Sequence, residues 1–228
     1  RYLVKSGLAR QDEEVLELNA GTGTDALFLH TRGCRVTCSD VSRAMREQAE
    51  KKSKDAGANI SVIDLDMRSL PAPEKKYHLI FSNFSGWNCL KPEELQELFS
   101  WMNHSLLPGG SVVAVLFGTN TLSEQLYFAL KANRQGLRRR KMTRGDFTLL
   151  GIKTPVYYYT PSTIKKMSER YFLFRYQQPV GIVIPPGFLS HRTRGFQGFL
   201  CTLEKGLQHF SFLANAADHY LIHLQKKG

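Results

Sequence analysis

Between residues 14 and 118, short apolar runs and longer amphipathic stretches take turns along the chain. The runs are "EVLELN" at 14–19, "RVTCSD" at 35–40, "NISVIDLD" at 59–66, "YHLIFSN" at 77–83 and, after a "PGG" turn, "SVVAVLFG" ending at 118. Apolar runs this short read as buried strands, and the spacers with a 3.6-residue period read as helices. A helix is expected from about Asp25 to His30. Another spans 41–57, with Ser42 as N-cap and Gly57 as the stop, and a third spans 91–106 with Pro92 in its first turn. Strands and helices in strict alternation bury their apolar faces as right-handed βαβ units, with helices on both faces of a parallel sheet. The expected fold is α/β, doubly wound and mostly parallel.

The rhythm changes after residue 118. A helix is expected from Leu122 to about Arg140, and "GDFTLLGIKTPVYYYT" at 145–160 reads as two β segments around Gly151. Helix returns at Pro161, then a strand within 173–186 broken by proline, a helical insertion at 198–213 and a last strand at 217–227. We therefore expect one core domain from 1–118 and 170–228, with helical and β lid insertions at 119–169 and 185–216 that bind substrate.

Composition limits what this fold can do. With 42% hydrophobic and 22% charged residues the chain is of ordinary globular make-up, and no apolar run approaches the ~18 residues of a membrane span. No secretory signal opens the sequence. Cys34, Cys38, Cys89 and Cys201 form no CxxC pair, and no histidine cluster has zinc-ligand spacing, so no metal is expected. Free thiols suit a reducing compartment, and a cytoplasmic location follows as an expectation. The formal charge of +11 is concentrated in "RQGLRRRKMTR" at 134–144 and "HRTR" at 191–194. It suits a negatively charged substrate, an anionic membrane surface or nucleic acid, and equally a solvated surface.

On such a sheet, ligands bind beyond the carboxyl ends of the strands. Four polar residues stand there: Glu17, Asp40, Asp66 and Asn83. The first strand runs into "NAGTGTD" at 19–25, which lacks the lysine of a P-loop and fits a pyrophosphate fingerprint poorly. Asn19 tolerates a left-handed turn, and Gly21 and Gly23 let backbone approach a ligand. Asp40, about 20 residues beyond the loop, suits the two hydroxyls of a ribose. Asp66 suits an adenine amino group and the Met67 N–H a ring nitrogen. A phosphate-free adenosine with a cationic tail near Glu17 fits this set. The structural alternatives are a helix N-terminus partner for Glu17 and an N-cap for Asp40.

"VLELNAGTGTDALFLHTRGCRVTCSDVSRAM" resembles the first two motifs of class I S-adenosylmethionine-dependent methyltransferases, and "IDLDMRSLP", "YHLIFSNFSGWNCL" and "SLLPGGSVV" resemble the later ones in order. The likeness covers about 12–118, resumes near the C-terminus at "ADHY", and is nearest to a bacterial small-molecule subset. It implies a Rossmann-like seven-stranded sheet with an antiparallel last strand, and S-adenosylmethionine as cofactor with S-adenosylhomocysteine as product. It also implies that Glu17, Asn19, Ala20, Gly21 and Gly23 line the methionine end. Asp40, with Val41 and Met45, would hold the ribose, Asp66 and Met67 the adenine, and the backbone at Ser82 and Asn83 the amino group. Asn19 departs from the family's glycine.

Methyl transfer from a sulfonium needs alignment and exclusion of water more than a base. Phe84 and Trp87 in "FSGWN", with Tyr157 and Tyr159 in "VYYYT", are the aromatic lid candidates; alternation along a strand is the other reading of the tyrosines. Tyr158 and His191 are weak candidates for a base, and His219 a weaker one. "SNFSG" lacks the prolines of "NPPY", which argues against base methylation, and no RNA-binding module is visible. A small-molecule O, N or C acceptor, anionic or lipid-like, is favoured. The alternatives are an RNA- or protein-modifying methyltransferase and a non-catalytic cofactor-binding homologue.

Overall fold

The computed structural model describes residues 2–134, 136, 140, 144–149, 152–183, 195 and 197–228. Helix α1 (Tyr2–Lys5) leads into β1 (Glu14–Leu18), α2 (Thr24–His30), β2 (Arg35–Asp40), α3 (Arg43–Asp55), β3 (Ser61–Asp64) and β4 (Tyr77–Ser82). A 3-10 turn (Gly86–Cys89), α4 (Pro92–Ser105) and β5 (Leu106–Phe117) follow. Then come α5 (Leu122–Leu130), the hairpin β6 (Arg144–Leu149) and β7 (Ile152–Tyr157), α6 (Pro161–Ser168) and β8 (Phe172–Val180). The chain closes with α7 (Gln197–Leu207), a 3-10 turn (Ser211–Ala216) and β9 (His219–Lys226).

Seven strands form one sheet in the order β3-β2-β1-β4-β5-β9-β8, and β6 pairs with β7 apart from it. Strands β1 to β5 are mutually parallel, as the alternation requires. Strand β9 runs against its neighbours. The residues flanking β8 and β9 pair in reverse order, Lys227 N–H donating to Tyr171 O and Asp218 N–H to Gly181 O, both at 3.0 Å.

The chain packs as two compact units. One comprises Arg1–Ala114, Ser168–Phe174 and His223–Gly228, the other Val115–Met167 and Arg175–Ile222.

In the first unit, β1 and β4 are buried along nearly their whole length, as expected of central strands covered on both faces. Trp87, Phe99 and Phe172 stack edge to face at 5.4 and 6.2 Å. Each buries a ring worth about 1.5–3 kcal/mol. The expected "PGG" turn lies inside β5, where the register against β4 shifts between Tyr77 and Leu79 and Gly109 takes φ +72°. Residues 65–76, between β3 and β4, contain no helix. They leave a cleft of about 420 Å³ lined by Leu16, Thr37, Ile63, Tyr77 and Trp101 among others.

The second unit is organised by buried charge. The Arg140 guanidinium lies 2.8 Å from Glu124 and 2.6 Å from Asp218, and it also donates to the carbonyls of Gly118 and Asp218. The rings of Phe117 and Tyr158 lie 5.7 and 5.8 Å from it. Helix α5 ends at Leu130, short of the expected Arg140.

Candidate functional site

The end of β1 passes into a loop with three left-handed residues, Asn19 at φ +46°, Gly21 at +55° and Gly23 at +68°. Asparagine is among the few side chains that tolerate this region, which explains why the loop closes without its first glycine. Gly23 caps α2, and a Cβ there would come within 3.0 Å of the Ala49 Cβ on α3. Gly21 differs, because a Cβ at that position would meet nothing within 4 Å. Its backbone borders open space, where a ligand can approach.

Asp40, at the end of β2, is tied to this loop. Its Oδ2 accepts the Gly21 N–H at 2.9 Å and its Oδ1 the Ser42 N–H at 2.8 Å. Ser42, not Asp40, is the N-cap of α3. An ionised carboxylate has about four acceptor positions, so both oxygens keep capacity for hydroxyl donors. Val41 is exposed beside it, and Met45 lies half-buried in the first turn of α3.

Glu17 is buried beneath the loop, and its Oε2 has no hydrogen-bond partner among the described residues. Burial first, and then the charge of Asp25, push its pKa up to about 8 against the pull of the Ala26 N–H. At neutral pH the site therefore holds a protonated acid, which a cationic group would ionise. Asp66 follows β3 and is bound by Arg68 at 3.0 Å (Nε to Oδ1) and 2.8 Å (Nη2 to Oδ2). The hydrogen bond from Arg68, opposed by partial burial, holds Asp66 below the usual carboxylate range.

A latch links this loop to the end of β4. Asn19 Nδ2 donates to the Asn83 carbonyl at 2.5 Å, and Asn19 Oδ1 accepts from Ser82 Oγ at 2.6 Å. The Asn83 side chain donates to Asp25 Oδ2 at 2.7 Å. Beyond it, Phe84 and Ser85 are both left-handed, at φ +52° and +62°. Gly86 then lies against the Asn19 amide so closely that a Cβ there would stand 2.3 Å from Asn19 Cγ. Phe84 projects outward, 82% exposed, while Ser85 is buried with its hydroxyl unpartnered among the described residues. Sequence reasoning missed Asp25, Ser85 and Gly86. The glycine two residues after an exposed aromatic was the available signal for the last.

Glu17, Asn19, Ala20, Gly21, Gly23, Asp40, Ser82 and Asn83 are thus brought together at the carboxyl ends of β1, β2 and β4. Asp66 and Met67 stand beyond β3. Trp87 is a correction: it is 0% exposed and packs edge-on against Phe99, because the turn after Gly86 directs it into the core. Tyr157, Tyr158 and Tyr159 belong to the second unit. Tyr159 is buried and its carbonyl accepts the Tyr220 hydroxyl at 3.0 Å, so its side chain is core rather than lid. Tyr158 packs by Arg140 and Phe117. His219 stacks on Phe117 at 4.6 Å and lies 3.0 Å from Asp218, a structural setting for the ring. His191 lies outside the described residues.

Residues 15–110 match the family model described as a methyltransferase domain. The chain is similar to the malonyl-[acyl-carrier protein] O-methyltransferase of Xylella fastidiosa (strain M23), at 32% identity over 48% of this chain and 37% of that protein. It is also similar to the demethylmenaquinone methyltransferase of Clavibacter sepedonicus, at 30% identity over 47% of this chain and 42% of that protein. These matches span less than half of each relative's length. Among solved structures, a SAM-dependent methyltransferase from Methanosarcina mazei superposes with a TM-score of 0.69, at 15% identity over 99% of this chain and 98% of that one. The magnesium protoporphyrin IX methyltransferase from Synechocystis PCC 6803, with bound SAH, does so with a TM-score of 0.62, at 13% identity over 99% and 79%. At such identities the likeness is one of fold.

Proposed function

We propose that the chain carries the core of a class I S-adenosylmethionine-dependent methyltransferase and transfers the cofactor's methyl group to a small-molecule acceptor. One coincidence carries the proposal. Gly21 borders open space, Asp40 is bonded to the Gly21 N–H, and the buried Glu17 oxygen lacks a partner among the described residues, all around a single loop.

The residues fit the cofactor. Asp40 would accept the ribose hydroxyls with the lone pairs that Gly21 and Ser42 leave unused, with Val41 and Met45 beside it. Asp66, kept ionised by Arg68, would accept a hydrogen bond from the adenine amino group, and the Met67 N–H would meet a ring nitrogen. Glu17, ionised, would pair with the ammonium of the methionine end, near Asn19, Ala20, Gly21 and Gly23. The backbone at Ser82 and Asn83 completes that end. When bound, S-adenosylmethionine supplies a methyl activated as a sulfonium. Alignment of the acceptor and exclusion of water are then the protein's main tasks, and the exposed Phe84 offers an aromatic surface for them. Two of the curated relatives are named for malonyl-[acyl-carrier protein] and demethylmenaquinone, which supports an acceptor outside nucleic acid.

Calorimetric titration with S-adenosylmethionine and S-adenosylhomocysteine, beside NADH and ATP, tests the proposal. Both should bind in preference to the controls, and Asp40→Ala should weaken them by about tenfold or more, the loss of a charged hydrogen-bond acceptor. Equal affinity for ATP, or binding that Asp40→Ala leaves unchanged, would overturn it.

A further inference from the structure

The two units share the formal charge of +11 very unequally. The unit made of Val115–Met167 and Arg175–Ile222 contains fourteen Lys and Arg against four Asp and Glu, a formal +10, while the other unit holds the remaining +1. Most of those four acids turn inward. Glu124 and Asp218 are ion-paired to Arg140. Glu204 is buried, with its carboxylate accepting the N–H groups of Gly181, Ile182 and Val183 at 2.7, 2.9 and 3.1 Å. The fourth is Asp146 on β6.

The same unit carries an inverted helix. In α5 the buried residue is the charged one, Glu124, while Leu122, Leu126 and Leu130 are 53, 60 and 80% exposed. Residues spaced by four fall within an arc of roughly 80° over this length, so the leucines form one stripe, with Glu124 turned away from it. The exposed Lys131 and Arg134 follow at its C-terminal end. In α7, Phe199 and Leu203 are also exposed, as are Phe210 and Phe212, whose rings lie 5.9 Å apart.

We propose that this unit docks on an anionic lipid surface, with the α5 leucine stripe entering the headgroup boundary and Lys131 and Arg134 meeting the lipid charge. An apolar stripe ending in cations, on a unit whose acids are largely consumed inside it, matches an interfacial helix in chemistry. Nucleic acid shares the charge but not the stripe, because aliphatic leucines offer no stacking platform for bases. The inference stands whether or not the chain transfers methyl groups.

The test is sedimentation of the 228-residue chain with vesicles of phosphatidylcholine alone or mixed equally with phosphatidylglycerol. Binding is expected to the mixed vesicles, weakly or not at all to phosphatidylcholine, and to fall as salt rises. Leu126→Glu with Leu130→Glu should reduce partitioning by about tenfold or more. Leu126→Ala with Leu130→Ala should reduce it less, and serves if the glutamates disturb folding, as checked by thermal melting. Lys131→Glu with Arg134→Glu should weaken binding by about tenfold as well. The proposal is overturned if phosphatidylglycerol has no effect, if the leucine variants bind as the parent does, or if a homopolymer RNA is bound in their place with equal indifference to the leucines. It is equally overturned if the leucine substitutions change only self-association, measured by sedimentation velocity, since the stripe would then cover a second copy.

Discussion

Asn19 and Gly86 are 67 positions apart and leave no room for independent choice. The side chain at 19 fills the space a Cβ at 86 would need. Gly86→Ala should therefore lower stability by about 1–3 kcal/mol, the usual range for overpacking. Asn19→Gly should cost about 1 kcal/mol or less, since glycine suits φ +46° and offsets part of the two lost hydrogen bonds. The double variant should be more stable than Gly86→Ala alone, and denaturant unfolding of the four proteins gives the coupling directly. Additive losses would mean that the contact relaxes freely. Glu17 predicts a pH dependence of its own. Its folded pKa of about 8 lies above the ordinary 4.5, so the folded state holds the proton more tightly than the unfolded one. Stability from this group is complete below pH 4.5 and declines as pH rises toward 8, by on the order of 5 kcal/mol in all. Glu17→Gln should remove that slope, so that its melting temperature gains on the parent's from pH 5 to 8. A difference that does not vary with pH would refute the assignment.

At the scale of elements, the periodicity of residues 14–118 carries most of the information. Strands β1, β2 and β4 and helices α3 and α4 stand within a residue or two of their expected bounds because each has a one-sided or fully apolar pattern. The departures have physical causes. The cationic run has good helix formers, and local pattern alone extends helix α5 to Arg140. The helix is instead interrupted at Ala132, left-handed at φ +49°, and is resumed at Arg134 and Gly136, while Arg140 beyond it pairs with Glu124 and Asp218, a contact no local pattern encodes. Burial pushes the Asp218 carboxyl up, but the hydrogen bond from His219 and the charge of Arg140 outweigh it and leave the group below the usual range. Arg140→Met should thus destabilise this unit by about 3–5 kcal/mol, since two carboxylates would lose their shared counter-charge. Urea unfolding of the unit, followed by its tyrosine signal, measures it. A loss under about 1 kcal/mol would indicate that water replaces the guanidinium.

Over the whole molecule, what was legible depended on whether the alternation of strand and helix itself brings the residues together. Asp40 and Gly21 could be paired from the βαβ rhythm alone, because the sheet returns each loop to the same edge. Trp87 could not be placed that way. Its neighbour Gly86 turns it inward against Phe99, and only the closed fold contains that contact. The charge total was plain in the sequence, yet its confinement to one unit emerges only once the chain has folded into two. Burial gives the four thiols different uses. Cys34 and Cys38 are buried, and burial raises both, Cys38 to about 12, so they are poor nucleophiles. Cys89 and Cys201 are exposed, one in each unit. Desolvation raises Cys89, so its labelling is favoured by alkaline pH, but both sulfurs are accessible. The unaltered polypeptide is therefore already a two-site spectroscopic ruler, in which maleimide dyes or nitroxides on those two sulfurs would report the separation of the units as ligands are added.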